Sequence, residues 1–169
     1  MNVQRSFKLM AIGCLVLGLS ACGFHLREAA TLPVQLQALS VQGVEAYSVL
    51  DLSLKQGFYQ AGYPLTTKAN ASAFLVIEKN TTKQRVLSIN SVGVANEYEL
   101  KYHLQFRLVD TENKTLLPQQ TITAYRSYRY NPDIVLAKKS EEQRLRKAMT
   151  EYAVQQVIRR ISKVKFLAE

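Results

Sequence analysis

From Glu97 to Leu108 polar and apolar side chains alternate without a break: Tyr98, Leu100, Tyr102, Leu104, Phe106 and Leu108 against Glu97, Glu99, Lys101, His103, Gln105 and Arg107. Period two over that length predicts a strand with one buried and one wet face. Upstream, Leu36 to Val41 after Pro33 reads as a first strand. Ser48 with Asp51 three residues on resembles a capping box, Leu50, Leu54, Phe58 and Ala61 then share a helical face, and Gly62 ahead of Pro64 supplies the stop. Phe74 to Glu78 predicts another strand, and Arg85 to Asn90 either a further strand or its continuation. Leu75, Ile77, Leu87 and Ile89 are all odd-numbered, so a single bulge-free strand would set them on one face. Turn chemistry at Ser91 to Ala95 and at Asp110 to Lys114, then a β-rich run from Thr121 to Tyr130, predicts an antiparallel meander that Asn131-Pro132 ends. A last helix is expected to open at Ser140, with Gln143 at capping-box spacing and Leu145, Met149, Tyr152, Val157, Ile161 and Val164 as its apolar stripe.

The order β-α-β-β-β-α predicts an α+β two-layer sandwich, a four-stranded, mostly antiparallel sheet with two helices on one face. No third layer remains for the face carrying Glu97, Glu99, Lys101, His103 and Arg107. Water or a partner protein must cover it.

Ahead of these elements, Arg5 and Lys8 precede an apolar run from Leu9 to Leu19, and small Ser20 and Ala21 lead directly into Cys22. The run falls short of the about 20 residues a membrane-spanning helix needs, so it reads as a removable signal. Leu19-Ser20-Ala21-Cys22 resembles a lipobox. That resemblance implies a diacylglycerol on the Cys22 sulfur and a further acyl chain on its amine. Gly23, in place of Asp, implies export to the outer membrane. Each buried methylene contributes about 0.8 kcal/mol, so two or more chains anchor stably. The expected organisation is residues 1–21 as signal, 22–34 as lipidated tether and 35–169 as one domain. Of 169 residues, 148 remain from Cys22 onward, enough for a single core.

The formal net charge of +9 falls to +7 once Arg5 and Lys8 are removed, and an excess of that size draws anionic partners. Tyr125-Arg126-Ser127-Tyr128-Arg129-Tyr130 has the basic-aromatic mix that stacks nucleic-acid bases, but export argues against nucleic acid. The polyanions of that compartment are lipopolysaccharide phosphates and carboxylates, which Arg and Lys hold by charge-assisted hydrogen bonds. Candidate cations are Arg126 and Arg129 near the end of the last strand, Lys138 and Lys139 in the connection to the final helix, and Arg85 at the head of the second hairpin arm.

Support for an enzyme is slight. Cys14 leaves with the signal and Cys22 is acylated, so no thiol is left for a disulfide, metal or nucleophile. His25 lies in the tether and His103 mid-strand, while cross-strand pairing with Lys101 and Arg107 accounts for Glu97 and Glu99. A hydrolase built on His103 with Glu97 or Glu99 is the weakest class considered, and neither cofactor nor metal is expected.

Cys22-Gly23-Phe24-His25-Leu26-Arg27 followed by Leu32-Pro33, then Asn96-Glu97-Tyr98-Glu99-Leu100, then Arg126-Ser127 and Asn131-Pro132 leading to Leu136-Ala137-Lys138, resemble the LPS-assembly lipoprotein family LptE over nearly the whole mature chain. The resemblance implies the same element order and a place as a plug inside the outer-membrane β-barrel LptD. It also implies help in that barrel's assembly and binding of lipopolysaccharide on its way to the outer leaflet. By position, Lys138 matches a basic residue associated with that binding. Ser91 stands where other members can have arginine, with Arg85 as a substitute if the strand is continuous. The alternative class is a lipid-anchored adaptor for another envelope protein, without lipopolysaccharide contact.

Overall fold

A computed structural model of the chain describes Leu32, Pro33, Leu36 and residues 38–164. Cys22, the signal and the rest of the tether lie outside the described residues. The elements are β1 (Leu39–Gln42), α1 (Val49–Gln60), β2 (Ala73–Ile89), β3 (Ala95–Asp110), β4 (Thr115–Arg129) and α2 (Val135–Ile161). They form one sheet of order β1-β2-β3-β4. β1 pairs parallel to β2 because α1 crosses between them, whereas β2–β3 and β3–β4 are antiparallel hairpins. The fold is the expected α+β sandwich on a mixed sheet.

Local chemistry accounts for most element ends. Ser48 Oγ accepts the Asp51 N–H at 3.2 Å and starts α1; Gly62, at φ +85°, and Pro64 follow its end. In the β2–β3 turn Asn90 Oδ1 accepts the N–H groups of Val92 and Val94, with Gly93 at φ +81°. In the next turn Asp110 Oδ1 does the same for Glu112 and Lys114. Pro118 falls within β4, which is tolerable because β4 is a sheet edge.

One core joins the layers. Leu100, Tyr102, Leu104, Phe106 and Leu108 all turn inward against Leu50, Leu54 and Phe58 of α1 and Met149, Ala153, Val157 and Ile161 of α2. The helices approach closely at Gly57, where a Cβ would stand 2.7 Å from Val154 Cγ1.

Four expectations are corrected. β2 is one strand, but it is not bulge-free: register shifts at Ile77/Lys79 and Val86/Ser88 make Glu78 and Leu87 extra residues. From Asn80 to Val86 the even positions face the helices, Gln84 opposite Leu100 and Val86 opposite Tyr98; the bulge at Leu87 reverses this again, so Ser88 lies opposite Glu97 on the outer face, and Leu87 and Ile89 are exposed. α2 begins at Val135, five residues before Ser140, and its N-cap Ile134 makes no side-chain bond. The 3-10 turn Pro132–Ile134 feeds the helix directly, and Leu136-Ala137-Lys138-Lys139 are good helix formers, so Ser140 sits inside it. The stripe differs too: Val154 and Ile158 are buried, whereas Tyr152 is exposed. β4 starts at Thr115, six residues before the expected Thr121.

Candidate functional site

The first turns of α2 lie over the outer part of the sheet and leave a cleft of about 520 Å³. Its floor is aromatic: cross-strand partners Tyr98 and Tyr128 stand 5.8 Å apart between ring centroids, and Tyr130 meets Tyr98 edge-on at 5.4 Å. Its wall is cationic, formed by Lys138, Lys139 and Arg146, which share one side of α2 at helical spacing.

A polar chain ties floor to wall. Gln84 donates to the Tyr128 hydroxyl at 2.9 Å, which donates to Glu142 at 2.8 Å; Arg146 holds the other Glu142 oxygen at 2.7 Å. Burial, reinforced by the carboxylate of Glu142, pushes the Tyr128 hydroxyl far above the ordinary phenol range, so it remains a proton donor. Lys138 pairs with Glu141 at 2.8 Å and its side chain is only 17 % exposed. Lys139 has no ion pair among the described residues. The cleft therefore offers one free ammonium, one that an anion must win from Glu141, and a guanidinium held rigidly by Glu142.

Only part of the sequence-predicted set converges here. Lys138 and Lys139 line the cleft together. Arg126, opposite Leu100, lies on the helix-side face but outside the cleft, and is bonded to the Tyr125 carbonyl at 2.8 Å. Arg129, opposite Glu97, is on the outer face. Arg85 is also on the outer face, 2.7 Å from Glu99, and that carboxylate raises its affinity for the proton. The basic-aromatic run is thus divided between two faces, with Tyr125 beneath the Lys101 ammonium at 5.4 Å on the outer one. Tyr98, Tyr130, Glu142 and Arg146 were not singled out from the sequence as cleft residues. The i, i+4 spacing of Glu142 and Arg146 and the i, i+8 spacing of Lys138 and Arg146 would have shown them, given a helix already formed at Val135.

The weak acid-base constellation is dispersed: His103 sits between Thr81 and Thr123 on the outer face, Glu99 pairs with Arg85, and Arg107 pairs with Glu78 at 2.9 Å. No group of three or more potential metal ligands occurs among the described residues. No described helix is long and apolar enough to cross a membrane.

The sequence profile of the family described as LptE, lipopolysaccharide-assembly, matches residues 36–161, from ahead of β1 to the last residue of α2. The chain belongs to the LptE family. LPS-assembly lipoprotein LptE of Pectobacterium atrosepticum is 29 % identical over 161 residues, covering 94 % of this chain and 85 % of its own length. The LptE protein of Yersinia pestis is 30 % identical over 154 residues, covering 90 % of this chain and 73 % of its own. Among solved structures, the solution NMR structure of an uncharacterized lipoprotein B from Nitrosomonas europaea has a TM-score of 0.68 at 29 % identity, covering 83 % of this chain and 90 % of that one. A minor lipoprotein of Acinetobacter baumannii shares the fold, with a TM-score of 0.65 at 24 % identity over 77 % of this chain and 93 % of that one.

Proposed function

We propose that this LptE-family chain is a non-enzymatic outer-membrane lipoprotein, anchored through acylated Cys22. It seats inside the LptD β-barrel, assists that barrel's assembly and binds lipopolysaccharide during delivery to the outer leaflet. Family membership and the lipobox resemblance support the anchor and the barrel partner. The observation that carries the binding role is the cleft, where Lys138, Lys139 and Arg146 converge over three tyrosines. Ammonium and guanidinium groups suit phosphate, and aromatic rings suit the apolar faces of sugars, which together describe a phosphorylated glycolipid head. A charged body is also compatible with the polar lumen of a large outer-membrane barrel.

The test is retention of lipopolysaccharide by the purified protein. Lys138→Asp should weaken it by about tenfold or more, since a hydrogen bond to a charged group is worth about 1.5–3 kcal/mol. The difference should shrink as salt screens the charges. Glu141→Gln should strengthen retention, because it releases Lys138 from its 2.8 Å partner. Unchanged retention in both variants would remove the cleft from the binding role.

A further inference from the structure

The sheet face turned away from the helices breaks a rule of cross-strand pairing at its centre. Lys83 stands directly opposite Lys101 across β2–β3, and Tyr125 of β4 is the third residue of that row. Like charges in register destabilise a sheet. The neighbouring acids are already engaged, Glu99 by Arg85 at 2.7 Å and Glu78 by Arg107 at 2.9 Å. Lys79 lies opposite Gln105 on the same face, and none of Lys79, Lys83 and Lys101 has an ion pair among the described residues. The excess of positive charge is therefore built into the fold, and local conflicts of this kind are where functional positions are expected.

The surroundings of the two lysines say what would relieve them. A hollow of about 350 Å³ bounded by Lys83, Arg85, Glu99, Lys101 and Tyr125 lets one carboxylate approach both ammoniums. On the other side of the row Thr81, His103 and Thr123 supply hydroxyl and imidazole groups. No valine, leucine or isoleucine stands on this face from Thr81 to Arg85, from Glu97 to Gln105 or from Thr121 to Ser127, so acyl chains would find no contact. The Lys101 ammonium lies over the Tyr125 ring at 5.4 Å and takes the surface on which a sugar would stack. What does match is another sheet: its side chains repeat across strands at the same interval of about 4.8 Å and meet a facing sheet in rows.

We propose that this face docks against a second β-sheet that presents acidic side chains, with Lys83 and Lys101 at the centre of the contact and Tyr125 beside them. Side chains pointing into the lumen of a large outer-membrane barrel are polar, and carboxylates among them would neutralise the two ammoniums together. Protein interfaces draw much of their binding energy from Tyr and Arg, and here Tyr125 is 49 % exposed with Arg85 at its flank. The inference deepens the barrel-seating reading and rests on it for the identity of the partner. It is separate from lipopolysaccharide binding, since the cleft of Lys138 and Arg146 lies across the sheet from this face.

Acylated full-length variants, co-expressed with the barrel protein and captured at low salt, test the face. Lys83→Glu combined with Lys101→Glu should lower the recovered barrel about fivefold or more, because like charges set against each other across an interface are strongly unfavourable. Lys83→Arg combined with Lys101→Arg should keep it. Lipopolysaccharide retention by the separately purified chain should be the same in every variant. In that chain alone, Lys83→Gln combined with Lys101→Gln should raise the thermal midpoint by about 2 °C at low salt, since the facing ammoniums no longer repel. Undiminished barrel recovery with the Glu pair would overturn the docking face and leave the barrel seat standing. A wild-type chain that recovers no barrel would overturn both. Lost lipopolysaccharide retention in the Glu pair would assign the lysines to the glycolipid, and a lowered midpoint in the Gln pair would assign them to this chain's own stability; either result overturns the proposal.

Discussion

Tyr102 shows how single side chains record the compromise between packing and polarity. Its ring is central to the core, 2 % exposed, yet its hydroxyl has no hydrogen-bond partner among the described residues. Nearby Thr150 already donates to the Arg146 carbonyl at 3.0 Å. Burial pushes the Tyr102 hydroxyl up to about 12, and Thr150 offsets this only in part. The folded state therefore favours the neutral phenol over an unfolded chain that ionises near 10. The resulting stabilisation is intact below pH 10 and is lost as pH climbs toward 12, a change of roughly 2–3 kcal/mol. Tyr102→Phe removes an unsatisfied polar atom. At neutral pH it should leave stability unchanged or raise it by about 1 kcal/mol. It should also flatten the alkaline decline, both measured by denaturant unfolding across pH. Neither the buried orphan hydroxyl nor the Tyr128–Glu142 bond was legible in the sequence, which placed both rings in strands without saying what their oxygens meet.

At the scale of elements, the strict alternation of β3 survived into the structure because every inward residue from Leu100 to Leu108 has a core neighbour. β2 did not keep its parity, because beyond Ile77 there is little core to enforce it. Glu78 is accommodated as an extra residue, and its carboxylate then meets Arg107 at 2.9 Å. Deleting Glu78 should reverse the faces of the following segment, turning Lys83 and Arg85 toward the helices and Gln84 away from Tyr128. Those helix-side positions are themselves largely exposed, so the cost in denaturant unfolding should be about 1–2 kcal/mol, from the lost Gln84–Tyr128 and Glu78–Arg107 contacts. The start of α2 escaped sequence reading for a related reason. Val135 and Leu136 are exposed, so the first turns carry no core periodicity, and an apolar stripe reports only the part of a helix that packs. That misplaced start also hid Arg146 as a companion of Lys138.

For the molecule as a whole, the proposed seat in the barrel and the proposed headgroup cleft are separable. A plug would contact its barrel over much of its surface, whereas the cleft involves few side chains. Lys138→Asp should therefore still co-purify with LptD in undiminished yield while retaining less lipopolysaccharide; loss of the barrel as well would mean that the cleft is part of the barrel interface. The amino-acid sequence by itself determined the element order, the inward face of β3, the stop of α1 and the turns around Gly93 and Asp110, because each follows from interactions spanning only a few residues. Tertiary structure alone decided which cations share a site. Arg85 and Lys138 reach opposite faces because strand bulges, helix starts and cross-strand register are settled by packing between segments distant along the chain, and a one-residue shift exchanges the two sides of a sheet.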